Sequence, residues 1–159
     1  MWRDLTKRQK LGWVLFLLYL ALLSYLMFFS EDFGRTNPDR GYAYNLVPFK
    51  EISRFVTYYD ILGMEALIIN LVGNVAAFMP FGFFMPVVSR GPVRIILLGF
   101  GFSLMLETIQ LVFRVGSFDV DDLILNTLGA GLGFFCYRRV QRFRVKLKRR
   151  RQQHEVRGQ

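Results

Sequence analysis

Apolar residues in this chain come in long runs separated by short polar stretches. Leu11–Phe29 contains no charge, and Met64–Val88 and Val93–Phe113 are comparably long and apolar. Each is near the roughly 20 residues that a helix needs to cross a hydrocarbon core. Asp122–Tyr137 is a shorter fourth run, rich in glycine. The expected fold is an all-α membrane protein with four transmembrane helices, at about 11–29, 64–88, 93–113 and 122–137. Residues 1–137 then form the membrane domain and 138–159 a basic tail, expected as a helical extension that frays. Pro80, Gly82 and Pro86 predict a bend in the second span, centred near Pro80.

The loop over residues 30–63 changes character halfway. Its first part is polar, with Pro38; its second part, YNLVPFKEISRFVTYYD, is apolar and aromatic on one side and charged on the other. Such a stretch suits the membrane–water interface, where aromatic rings settle. Asn45 or Pro48 is placed to open a short helix there.

Composition sharpens this picture. Of 159 residues, 53% are hydrophobic, too many for a soluble domain of this size. The formal net charge is +9, but most of it lies beyond Tyr137. The tail therefore reads as a topology signal with attraction for anionic lipid, not as a nucleic-acid-binding surface. The Lys/Arg-rich start with Arg3, the turn at Arg90 and Arg94, and the tail place both termini in the cytoplasm by the positive-inside rule. The basic start before an apolar run also resembles a signal peptide, but the run is long and no A-x-A-like site follows, so an uncleaved first span is expected. One Cys and one His exclude a disulfide framework and a Cys/His zinc site, and no metal or cofactor is expected.

Several polar residues interrupt the runs. Glu107, Gln110 and Arg114 are spaced to share one helical face, as are Asp122, Asn126, Gly129 and Gly133. Counting about 1.5 Å per residue from the outer helix ends puts Asn70, Glu107, Gln110 and Asn126 roughly 5–9 Å deep, with Asn74 roughly 15 Å down. Arg114, Asp119, Asp121 and Asp122 lie just above them. A carboxylate in such a run needs a partner or a wet cavity. Interhelical hydrogen bonding accounts for the asparagines; the carboxylates and the arginine point further, to a binding site. The candidate ligand-binding set is Asn70, Asn74, Glu107, Gln110, Arg114, Asp119, Asp122 and Asn126. Gly129 and Gly133 form a small-xxx-small pair that lets a helix approach closely, which leaves room for a homo-oligomer.

Four segments carry a resemblance: NLVPFKEI at 45–52, NLVGNVAAFMPFGFFMP at 70–86, ETIQ at 107–110 and RVGSFDVDDLILNTLGAG at 114–131. In this order they resemble the VanZ-like family of small bacterial membrane proteins. The motif positions that match are Asn45, Pro48, Phe49, Gly73, Pro80, Gly82 and Gly129, with Asn70, Asn74, Glu107, Gln110, Asp119, Asp122 and Asn126 of the candidate set. The resemblance implies a multi-pass protein of the cell membrane, typical of Gram-positive bacteria. It also implies a link to low-level teicoplanin resistance, and it supplies no settled biochemical activity.

Three functions then compete. The polar set could hold the head group of a membrane lipid or lipid-linked envelope molecule, with aromatic loop residues taking its chain. Alternatively, Glu107 could act as general base and Asp122 or Asp119 hold a cation in an intramembrane enzyme acting on a lipid-linked substrate. Transport ranks last, because the polar groups sit at one level and form no path.

Overall fold

The computed structural model describes residues 6–29, 41–89 and 91–157. Arg3, Pro38, Arg90 and the first part of the loop, residues 30–40, lie outside the described residues. The chain is built almost wholly of helices: α1 (Lys7–Phe28), α2 (Lys50–Thr57), α3 (Tyr59–Leu62), α4 (Met64–Ile68), α5 (Asn74–Phe84), α6 (Pro92–Val112) and α7 (Val120–Arg157). Among the described residues, three helical stretches are long and apolar enough to cross a membrane: Gln9–Phe28, Met64–Val87 and Pro92–Val112.

Local signals set the ends of these helices. Thr6 and Gln9 form a reciprocal capping box at the start of α1. Gly91 and Pro92 open α6, with proline where its missing N–H costs nothing. Gly63, at φ 89°, turns the chain from α3 into α4, a backbone region that side chains disfavour.

The second span departs from a regular helix in two places, one of them at Pro86. A π-helical turn, Ile69–Gly73, links α4 to α5. The helix then runs on through Pro80 and tightens into a 3-10 turn at Met85–Val87. Pro80 thus lies within a continuous α-helical stretch, with the departures from regular geometry on either side of it. The widened turn rotates Asn70 relative to Asn74, which a regular helix would have stacked one turn apart.

Helix α7 forms the axis of packing, against α5 most extensively and then α6. Glycine makes the first contact possible. A Cβ at Gly129 or Gly133 would run into the carbonyls of Val75 and Met79, and one at Gly82 into that of Ala130. Backbones meet with no side chain between them, the close approach that small residues allow. This corrects the oligomer expectation for these glycines. Both are buried against α5 inside one chain and present no face to a second copy.

Two buried clusters fill the remaining space. One joins Leu23, Met27, Phe78 and Leu106, and the other Phe16, Phe81 and Ala130. Phe81 and Phe102 stack at 4.9 Å, and the Tyr19 hydroxyl donates to the Ala77 carbonyl at 2.9 Å. Outside these, Leu11, Leu17, Leu18, Leu22, Val93 and Leu97 stand exposed. An apolar exterior of this extent suits hydrocarbon and not water.

Two further differences concern the connections. Asn45 and Pro48 do not open the loop helix. Asn45 lies in a two-residue strand, β1 (Tyr44–Asn45), which pairs in parallel with β2 (Phe118–Asp119). The helix starts two residues after Pro48, at Lys50. The all-α expectation thus lacks one small sheet, which ties the loop after α1 to the connection between α6 and α7. Beyond Tyr137 the tail does not fray into a separate segment; α7 continues as one helix to Arg157.

Candidate functional site

Four elements converge where α7 begins, and the sequence DVDD at 119–122 is the hub. Asp119 stands immediately before α7. Its Oδ1 accepts the Asp121 N–H at 2.8 Å, the geometry of an N-cap. The same oxygen accepts the Asn45 side-chain amide at 3.2 Å. One aspartate therefore starts α7 and holds β1.

Asp121 turns the other way. Its carboxylate accepts the backbone N–H groups of Phe49, of Glu51 at 2.8 Å and of Ile52 at 3.0 Å. These are donors at the start of α2, which helical geometry leaves without intrahelical partners. Phe49 cannot cap the helix itself: it has no acceptor in its side chain, and its backbone is left-handed at φ 64°. Asp121 supplies the missing cap from another helix, and its charge suits the positive end of the α2 dipole. A left-handed non-glycine residue costs on the order of 1 kcal/mol or more, and the Asp121 bond to its N–H helps hold it there.

Asp122 faces α5, where the Asn74 amide donates to its Oδ1 at 2.6 Å. Glu107, on α6, accepts the Asp119 N–H at 3.1 Å and is 1% exposed. Three aspartates in four residues thus reach three different elements, and a glutamate on α6 ties down the first of them.

The remaining polar residues join helices in pairs. Gln110 donates to the Met27 carbonyl at 2.9 Å, fastening the C-terminal end of α1. Asn126 donates to the Ser103 hydroxyl at 2.9 Å, between α7 and α6. The Asn126 Oδ1 is buried and has no hydrogen-bond partner among the described residues. Asn70 is half-buried in the π-helical turn and takes no part in this network.

Arg114 is displaced from its expected place. Helix α6 ends at Val112, and Arg114 adopts a left-handed turn at φ 56°. Its guanidinium lies exposed over the Tyr42 ring, 4.3 Å from the centroid. The i, i+7 spacing from Glu107 fails because the helix stops first. Arg114 is therefore a cation at the rim, beside the strand pair.

The set separates by burial. Glu107, Gln110, Asp119 and Asn126 are buried, as is Asp121, which sequence reasoning left out. Asn70, Asn74 and Asp122 are half-buried, and Arg114 is exposed. One signal for Asp121 was legible: PFKE offers α2 no Ser, Thr, Asp or Asn cap, so an acceptor from elsewhere was required.

Burial pushes the Asp119 carboxyl above the usual carboxylate range, against the opposing effect of the hydrogen bonds from Asp121 and Asn45. The neighbouring charges of Asp121 and Glu51 add to the upward shift. Among the described residues, no group of three or more His, Cys, Asp or Glu side chains converges on one point as metal ligands would. The carboxylates fan outward from the hub to their own partners.

Above the hub lie α2 and α3, with Leu46, Val47, Phe49, Val56, Tyr58 and Ile61 all exposed. Arg54 pairs with Glu51 at 2.7 Å on the charged side. The arrangement is a strongly amphipathic aromatic segment fastened across one end of a helical bundle.

The chain is similar to Protein VanZ of Enterococcus faecium, 28% identical over 124 residues that cover 76% of this chain and 69% of the relative. No solved structure gives a significant match. The VanZ/LLP1 family model matches residues 16–142, a range that runs from within α1 to partway along α7 and takes in the DVDD hub and the α2 segment it holds. The chain belongs to the VanZ/LLP1 family.

Proposed function

We propose that this protein resides in the cell membrane with four spans and both termini in the cytoplasm, and that its outer end binds the head group of an envelope amphiphile. The apolar part of α7 is the fourth span, short because its glycines let it lie deep against α5. Described basic residues support the orientation. Lys7, Lys10, Arg94 and the run after Tyr137 lie at one end, and the DVDD hub lies at the other.

One observation carries the binding reading: the Asp121 carboxylate pins an aromatic amphipathic helix over a polar cluster. The buried members, Glu107, Gln110, Asp119, Asp121 and Asn126, act as the frame. Contact with the ligand falls to Asn70, Asn74, Asp122 and Arg114, which reach the surface, with Phe49 and Tyr58 against its apolar part. Arg114 pairs with an anionic group, and the asparagine amides donate hydrogen bonds.

The family link to glycopeptide resistance suggests the first amphiphile to test. Teicoplanin carries a lipid tail and vancomycin does not, so an interfacial site would distinguish them. An enzymatic role for Glu107 has less support, since at 1% exposure it meets no substrate without rearrangement.

Growth inhibition by both drugs should be measured in a Gram-positive host expressing wild type, Arg114→Gln, Glu107→Gln or no protein, at matched membrane levels. The expected outcome is protection against teicoplanin alone, lost in Arg114→Gln and in Glu107→Gln. Full protection in both variants would reject the cluster as the site. Equal sensitivity of all four strains would remove drug resistance from this protein.

A further inference from the structure

At the end of the bundle opposite the hub, α1, the 3-10 turn and α7 enclose a cleft of about 280 Å³. Gly12, Trp13 and Phe16 form one wall, Phe84 and Met85 another, and Tyr137 a third. Its polar lining residues are Gln9 and Gln141, on the first turns of α1 and the basic half of α7. The volume is just below the usual range of small-ligand pockets, roughly 300–1,000 Å³.

The missing side chain at Gly12 leaves this slot open, since a Cβ there would meet no heavy atom within 4 Å. Val87 and Val88 line the cleft too and are exposed at 66% and 63%, so it opens onto the apolar exterior of the bundle. In the membrane orientation proposed above, that exterior faces the acyl chains of the inner leaflet.

Charge gives the slot a polarity. Arg144 and Lys148 follow Gln141 at i+3 and i+7, continuing along α7 the face that holds Tyr137 and Gln141. Both are exposed. Among the residues whose side chains are described, the acids are Glu51, Asp60, Glu65, Glu107, Asp119, Asp121 and Asp122, all toward the hub end of the chain's helices. The cleft is therefore apolar inside, lined with amides at its mouth, and cationic above.

We propose that this cleft binds one anionic glycerophospholipid, with an acyl chain between Gly12 and Tyr137 and the phosphate at Gln141 and Arg144. The site is separate from the outer-end cluster and does not depend on what that cluster binds. Snorkelling of Arg144 toward the phosphate accounts for a cation one turn beyond the apolar wall. A zwitterionic lipid offers the same chain without net charge, so the head group decides the preference.

Native mass spectrometry can test this on the full chain, released from membranes containing equal phosphatidylglycerol and phosphatidylcholine. Wild type should retain one phosphatidylglycerol, at least tenfold more often than phosphatidylcholine. Gly12→Leu, which fills the slot, should lose the bound lipid. The double variant Arg144→Gln, Lys148→Gln should retain lipid but lose the tenfold preference. Its changes are confined to exposed positions, so it carries the test even if Gly12→Leu fails to fold. Retention of both lipids equally by wild type, no retained lipid, an undiminished preference in the double variant, or undiminished retention in a folded Gly12→Leu would each overturn the proposal.

Discussion

Asp119 and Asp121 are two residues apart and do different work. Asp119 caps the helix it precedes, while Asp121 caps a helix far away in sequence. Because burial raises the Asp119 carboxyl in the folded protein, its charge is disfavoured by folding. The unfolded chain then holds fewer protons through the window between the ordinary carboxylate value and the raised one. Stability should therefore fall as pH rises through that window, and be fullest below it. Melting temperature against pH in detergent should show this decline, and Asp119→Asn should flatten it. A wild-type curve rising through the window would contradict the assignment. The sequence placed Asp121 beside Asp119 and Asp122 but left it out of the candidate set, because an aspartate beside two others reads as a solvated loop. Only the fold brings Asp121 to the uncapped start of α2.

The contact between α5 and α7 was legible in outline as a small-xxx-small pair, but its partner was not. Nothing in the spacing of Gly129 and Gly133 separates a contact within one chain from a contact between copies. The partner emerges from the matching spacing of Val75 and Met79, whose carbonyls face the two glycines. Gly133→Ala should then force the helices apart and destabilise the protein by about 1–3 kcal/mol, the usual cost of overpacking. Gly101 lies in α6 with nothing within 4 Å of its Cβ position. Gly101→Ala should be neutral or stabilising by up to about 1 kcal/mol, since alanine favours a helix. Thermal denaturation of both variants checks the contrast, and equal effects would remove the backbone contact from the account. The π-helical turn at Ile69–Gly73 was not legible: proline announces a bend by its chemistry, but a widened turn leaves no comparable mark in composition.

Across the whole molecule the apolar runs determine most of the architecture, because only satisfied backbones cross hydrocarbon. Three spans follow from length alone. The proposed fourth escapes that measure: two aspartates open α7, Asn126 interrupts it, and arginines begin at Arg138. Its place comes from packing against α5 and α6. Topology can be read by cysteine labelling in a Cys136→Ser background. An impermeant maleimide should label Ile61→Cys in intact cells, and Gln152→Cys only after permeabilisation. Labelling of Gln152→Cys in intact cells would reverse or break the four-span arrangement.

These levels meet in the fastening of α2 by Asp121, on which the proposed binding surface depends. Hydrogen exchange of the protein in lipid nanodiscs reads it directly. The Glu51 and Ile52 amides should be protected in wild type and exchange at least tenfold faster in Asp121→Ala, with α5 and α6 unchanged. That factor corresponds to about 1.4 kcal/mol, the lower end of what hydrogen bonds to a charged acceptor contribute. Equal exchange of these two amides in both proteins would mean that α2 is held by something else, and the outer site as described would not exist.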